Sequence, residues 1–303
     1  VVFDATLGQH VSANLSSTFN QGYWPVTISI LSPLAATLRS NSPELGGNVY
    51  LDSTTLPITG TYTALVVPSG SNTGSGTVTV YLFNDITGTL SPCSVPCSGT
   101  NISSATPGQN IRLSFSGTAG LRLSAILNST YNQDYWPVTL SVLTPYGSTL
   151  ASNSPELGGY AYIDSTAMPV SGTYTLLIDP SGTNVGSGSV VVYFFQDVTG
   201  TIAPGTPANI TTAVPGQNIR LTFNGTGGQQ VGASLNSSYN QGYWPVTLSI
   251  LNPDGTTLTS NSPELGGNVS VGPVALPTTG TYTVLIDPSG ANTGSGTVSV
   301  TLQ

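Results

Sequence analysis

Tyr23-Trp24-Pro25-Val26-Thr27-Ile28-Ser29-Ile30 reads as a turn that runs into a strand. Val26, Ile28 and Ile30 alternate with Thr27 and Ser29, the two-residue period of a pleated chain that buries one face. The stretch recurs. Tyr23–Thr27 returns as Tyr135–Thr139 and Tyr243–Thr247, and the alternation returns at Val138–Leu143 and Val246–Leu251. Downstream, Ser40-Asn41-Ser42-Pro43-Glu44-Leu45-Gly46-Gly47 is repeated unchanged at Ser152–Gly159 and Ser260–Gly267, and Gly60-Thr61-Tyr62-Thr63 at Gly172–Thr175 and Gly280–Thr283. The three Trp residues lie 112 and 108 residues apart, so the chain is an array of three near-copies of one module.

Further alternating runs lie at Thr173–Ile178, Val190–Phe195 and Ile111–Phe115, with turn signals between them: Pro253-Asp254-Gly255, Pro180-Ser181-Gly182 and Gly186-Ser187-Gly188. With 36 Gly and 22 Pro and no 3.6-residue period, helices are not expected. The expected fold is all-β: three tandem antiparallel β-sandwich modules, jelly-roll or immunoglobulin-like, of about seven strands each, arranged as a rod. The boundaries read as residues 1–87, 88–199 and 200–303, with Pro-stiffened linkers at Gly88–Gln109 and Gly200–Gln217. Val1 aligns with Leu113 and Leu221, so module one starts inside its opening strand; Gln303 aligns with Phe195. The array is expected to have been cut at nearly equivalent points.

Composition narrows the function. Charged residues are only 5% of the chain, against about one quarter in an ordinary domain. Lys is absent; Arg39, Arg112, Arg122 and Arg220 face 12 carboxylates, for a net charge of −8. Nucleic acid and anionic membrane surfaces both require clustered cations, so neither is an expected partner. Ser and Thr supply 82 of the 303 residues, and a surface hydrated by hydroxyls with little charge favours contact with sugars or with other copies of itself. No apolar run reaches the roughly 18 residues of a membrane helix, and the residues from Val1 onward are not expected to act as a signal peptide. Cys93 and Cys97 are the only cysteines and are expected to close a small disulfide loop, in keeping with an oxidising, extracellular or cell-surface setting.

The residues Gly172-Thr173-Tyr174-Thr175-Leu176-Leu177-Ile178, preceded by Val138-Thr139-Leu140-Ser141-Val142-Leu143-Thr144-Pro145, resemble the bacterial pre-peptidase C-terminal (PPC-like) type of β-sandwich. That family occurs beside secreted proteases and in tandem in bacterial surface proteins. The resemblance covers most of each module and implies a sandwich in a secreted protein. It brings no catalytic residues to transfer.

The candidate sites follow from what recurs. Catalysis is not expected: His10 is the one histidine, and Glu44, Glu156 and Glu264 are the only acids present in all three modules. Asp52 and Asp164 recur in two modules, as do Asp179 and Asp287, with Val67 in the remaining place. No cofactor is expected; the abundant oxygen ligands allow a structural calcium, but no Asp-x-Asp-x-Asp-Gly loop exists. Leu56-Pro57-Ile58-Thr59-Gly60 and Leu276-Pro277-Thr278-Thr279-Gly280 look like sortase signals but sit inside modules, where they read as turns that position the following Tyr at a sandwich corner. Seven sequons are headed by Asn14, Asn101, Asn128, Asn209, Asn224, Asn236 and Asn268, with Asn101 and Asn209 favoured as exposed linker positions. Tyr23, Trp24, Tyr135, Trp136, Tyr243 and Trp244 are the candidates for sugar stacking or a subunit interface. Together these features predict a non-enzymatic extracellular structural protein. It would be the subunit of a surface filament that self-assembles head to tail, with glycans as a second partner. The alternative is an adhesin or carbohydrate-binding accessory region.

Overall fold

A computed structural model describes residues 1–19, 25–42, 47–93, 97–131, 137–155, 159–239, 245–263 and 267–303. All regular structure among them is β. Module one contributes β1 (Val2–Ala5), β2 (His10–Ser17), β3 (Val26–Leu31), β4 (Thr37–Asn41), β5 (Val49–Thr55), β6 (Gly60–Pro68) and β7 (Gly76–Phe83). Module two contributes β8 (Ile86–Thr89), β9 (Thr100–Ser104), β10 (Ile111–Gly117), β11 (Arg122–Ser129), β12 (Val138–Leu143), β13 (Thr149–Asn153), β14 (Tyr160–Ala167), β15 (Gly172–Pro180) and β16 (Gly186–Phe195). Module three repeats the second with β17 (Val198–Thr201), β18 (Ala208–Thr212), β19 (Ile219–Gly225), β20 (Gln230–Ser237), β21 (Val246–Leu251), β22 (Thr257–Asn261), β23 (Val269–Ala275), β24 (Gly280–Pro288) and β25 (Gly294–Leu302).

Modules two and three each build two sheets, in the orders β13-β12-β15-β10-β8 and β14-β11-β16-β9, and β22-β21-β24-β19-β17 and β23-β20-β25-β18. Every pairing is antiparallel except β8 with β10 and β17 with β19. Period-two patterning decides which side is core: Val138, Leu140 and Val142 of β12 are fully buried, with half-exposed Thr139 between the first two. Burying each such side chain stabilises the fold by roughly 1.5–3 kcal/mol. Each module has its own core, which among the described residues holds twenty buried apolar residues in modules two and three and twelve in module one.

Two expectations need correction. The segments read as linkers, Gly88–Gln109 and Gly200–Gln217, are built into the module that follows: the first carries the end of β8 and all of β9, one to each sheet, and the second the end of β17 and all of β18. Their Gly, Ser, Thr and Pro content hid them, although Leu90, Ile102, Ile202 and Ile210 are core residues at 7% exposure or less. Modules two and three consequently hold nine strands each, and only module one holds seven.

The corner tyrosines stand as expected. Tyr62, Tyr174 and Tyr282 are fully buried, and each hydroxyl donates to the backbone carbonyl four residues earlier, at Ile58, Val170 and Thr278. The Leu-Pro-x-Thr-Gly stretches are thus turns pinned by the Tyr of the next strand. Stacked Phe3, Phe115 and Phe223 back these rings at centroid distances of 5.8, 5.8 and 5.7 Å.

Candidate functional site

The repeated chemistry that the fold assembles lies at the contacts between modules. In β2 and β11 the register against β5 and β14 slips between Val11 and Ala13 and between Leu123 and Ala125, a bulge that leaves Ser12 and Ser124 unpaired on that side, while each stays in register with Tyr81 of β7 or Tyr193 of β16 on the other. Both serines are fully buried and aim at the next module: Ser12 Oγ donates to the Pro107 carbonyl at 2.6 Å and Ser124 Oγ to the Pro215 carbonyl at 2.6 Å. The next residue in each case is a left-handed glycine, Gly108 at φ 80° and Gly216 at φ 82°. A Cβ there would lie 2.6 Å from the Tyr50 hydroxyl or 2.8 Å from the Tyr162 hydroxyl, so the glycines are required both by conformation and by space.

Charge is concentrated at the same contacts. Asp85 Oδ2 bridges Arg112 Nε at 2.7 Å, within its own module, and His10 Nε2 of module one at 3.7 Å. Asp197 repeats the arrangement, with Arg220 Nε at 2.8 Å and Arg122 Nε of module two at 3.5 Å. Burial pushes the Asp179 carboxyl up to about 6, helped by repulsion from Asp52 of module one. Asp287 is likewise raised to about 6 by burial and by Asp164 of module two. Arg39, 3.8 Å from Asp52, also acts on Asp179. All four arginines and the one histidine of this weakly charged chain therefore act at the two junctions.

The corresponding face of module three is different. Where modules one and two place His10 or Arg122, a Ser, a Tyr and an Asp, module three has Gln230, Gly232, Ser270 and Gly272. A cavity of about 260 Å³ lies on this face, lined by these four residues with Ser234, Thr301 and others.

Tyr23, Trp24, Tyr135, Trp136, Tyr243 and Trp244, and the repeated Glu44, Glu156 and Glu264, lie outside the described residues. The sequon asparagines are on strands or next to one. Asn101, Asn128, Asn209, Asn224, Asn236 and Asn268 are exposed and Asn14 is half-buried. Pairing places several side by side: Asn101 opposes Ser189, which opposes Asn128, and Asn209 opposes Thr297, which opposes Asn236. Sequence spacing alone did not disclose these cross-strand rows. Cys93 and Cys97 form a disulfide with Cα atoms 6.0 Å apart, and the Cys93 amide donates to the Val192 carbonyl at 3.1 Å, which docks the loop on β16. Among the described residues no three His, Cys, Asp or Glu side chains gather as a metal site. No described helix is long and apolar enough to cross a membrane.

No protein-family model matches the chain, and no curated protein does. Among solved structures it is similar to the periplasmic inhibitor of g-type lysozyme PliG from Aeromonas hydrophila, at 14% identity and TM-score 0.28, over 36% of this chain and 98% of that one. It is also similar to the M60 catalytic domain with two CBM51 domains of Clostridium perfringens ZmpB, at 7% identity and TM-score 0.22, over 100% of this chain and 55% of that one. A third similarity is to the Sulfolobus Turreted Icosahedral Virus structure, at 12% identity and TM-score 0.18, over 100% and 81% of the two chains. Likenesses this distant carry no argument about fold or function.

Proposed function

We propose that the chain is a non-enzymatic, exported structural protein whose modules form a rod and whose copies associate head to tail into a filament. The observation that carries this reading is the repetition of one junction: bulged Ser to Pro carbonyl, Tyr against left-handed Gly, and Asp between an Arg of its own module and His10 or Arg122 of the module before, at both internal contacts. The few basic side chains of the chain gather where successive modules meet, which favours a fixed spacing along its length. The disulfide supports an oxidising, extracellular location. Low charge leaves little repulsion between copies, and a head-to-tail contact, being heterologous, continues into an open polymer. Exposed Asn101 and Asn209 are the proposed glycan positions, and copies of the chain the proposed partners.

Sedimentation velocity over a hundredfold concentration series tests the reading. Progressive growth without a closed end state is expected; a single monomeric boundary throughout would overturn it. The second reading, a carbohydrate-binding module, is favoured by the polar cavity of module three. A glycan array would separate the two, since binding lost on Gln230→Ala supports the second.

A further inference from the structure

Ile86 of β8, Ile111 of β10 and Ile178 of β15 stand in one row across three adjacent strands. The next residue on each strand, toward module one, bears a side-chain oxygen: Asp85, Asn110 and Asp179. Module three repeats the row with Asp197, Asn218 and Asp287 beside Val198, Ile219 and Ile286. Side chains at matched positions of neighbouring strands project from the same face of a sheet. The module before adds Asp52 and Arg39 at the first junction, and Asp164 and Arg122 at the second. With Arg112 and Arg220, each junction sets three carboxylates against two guanidinium groups. His10, 3.7 Å from Asp85 Oδ2, can offset the excess at the first junction only when protonated, and the second junction has no histidine.

The oxygens of these rows are left unmet. Asn110 and Asn218 are 8% and 5% exposed, and neither Oδ1 accepts a hydrogen bond among the described residues. Asp85 Oδ1 and Asp287 Oδ1 are also without a donor, as is Asp197 Oδ1, although Arg122 Nε stands 3.5 Å from it. A buried acceptor with no donor is costly, and here the same one recurs at both junctions beside carboxylates in excess. Carboxylates alone do not gather in threes among the described residues, so an amide oxygen must complete any set of ligands. We infer that each internal junction binds one hard, oxygen-ligated cation, held by the side-chain oxygen of Asn110 or Asn218 with the two Asp residues that flank it in the row. The ion offsets the repulsion from Asp52 or Asp164 of the module before, and so ties successive modules together. Sodium matches an excess of one carboxylate, and calcium takes the same kind of oxygen.

The test uses the whole chain, stripped with EDTA and dialysed into choline chloride at pH 7.5. Scanning calorimetry follows additions of calcium chloride or sodium chloride at constant ionic strength, and isothermal titration measures calcium affinity. Calcium or sodium is expected to raise the melting temperature above its value in choline; a response to calcium alone assigns a divalent site, and one to sodium alone a monovalent site. Asn110→Leu with Asn218→Leu should weaken binding of the effective ion by about tenfold or more, because each junction loses a ligand. Asn110→Asp with Asn218→Asp keeps an oxygen in each place and adds charge, so its response should exceed that of the parent. No response of the parent chain to either ion, an undiminished response in the Leu variant, or a weaker response in the Asp variant would each overturn the inference. Because the ions act within one chain, the result is independent of whether filaments form.

Discussion

Gly108 and Gly216 combine a left-handed backbone with a tyrosine hydroxyl where a Cβ would sit, so the smallest substitution is disruptive at both. Gly216→Ala is expected to weaken the contact between modules two and three by about 1–3 kcal/mol, from backbone strain and displacement of Tyr162. Amide hydrogen exchange should speed up around Pro215 and Ser124 while the cores of both modules stay protected. The corner tyrosines give a milder case. Tyr174→Phe removes only the 2.7 Å bond to the Val170 carbonyl, and a loss of about 1 kcal/mol in urea unfolding of module two is expected. The corner was legible in the sequence, because the Tyr follows a repeated turn. The glycines were not, because Gly108 and Gly216 sit in stretches so rich in turn formers that none stands out.

At the scale of elements, strands β3, β12 and β21 and their partners β6, β15 and β24 could be read directly, since about five residues in each alternate apolar side chains with Thr or Ser. Strands β8, β9, β17 and β18 are four or five residues long and built largely of Thr, Ser, Asn and Gly, below the length at which a period declares itself. The signal available was the aliphatic set Leu90, Ile102, Ile202 and Ile210, spaced as the modules are. If those residues seal the core, Ile202→Ala should cost about 2–5 kcal/mol and lower the melting of module three selectively. A linker residue would tolerate the change. The junction acids had a sequence signal as well: Asp52 with Asp164, and Asp179 with Asp287, each recur twice, but only the fold brings the two sets together across a boundary.

Across the whole molecule, those acids make stability depend on pH. Asp179 and Asp287 each titrate near 6 when folded, against 3.8 for the ordinary carboxyl. A folded value above the unfolded one means that the folded chain holds more protons between them. Their contribution is therefore complete below 3.8 and is lost as the pH rises through about 6. The surrounding charges are Asp52, Asp85, Arg39 and Arg112 at one junction and Asp164, Asp197, Arg122 and Arg220 at the other. The difference in Tm between pH 5 and pH 7.5 should favour pH 5 in the parent chain and shrink in the Asp179→Asn, Asp287→Asn variant. Calorimetry of both proteins in matched buffers checks this.

The repeated junction matters for function only if copies of the chain also join in line. Electron microscopy of the purified, concentrated protein tests that most directly. Unbranched fibres whose axial repeat spans three modules are expected. A field of monodisperse rods three modules long, unchanged by concentration, would contradict it.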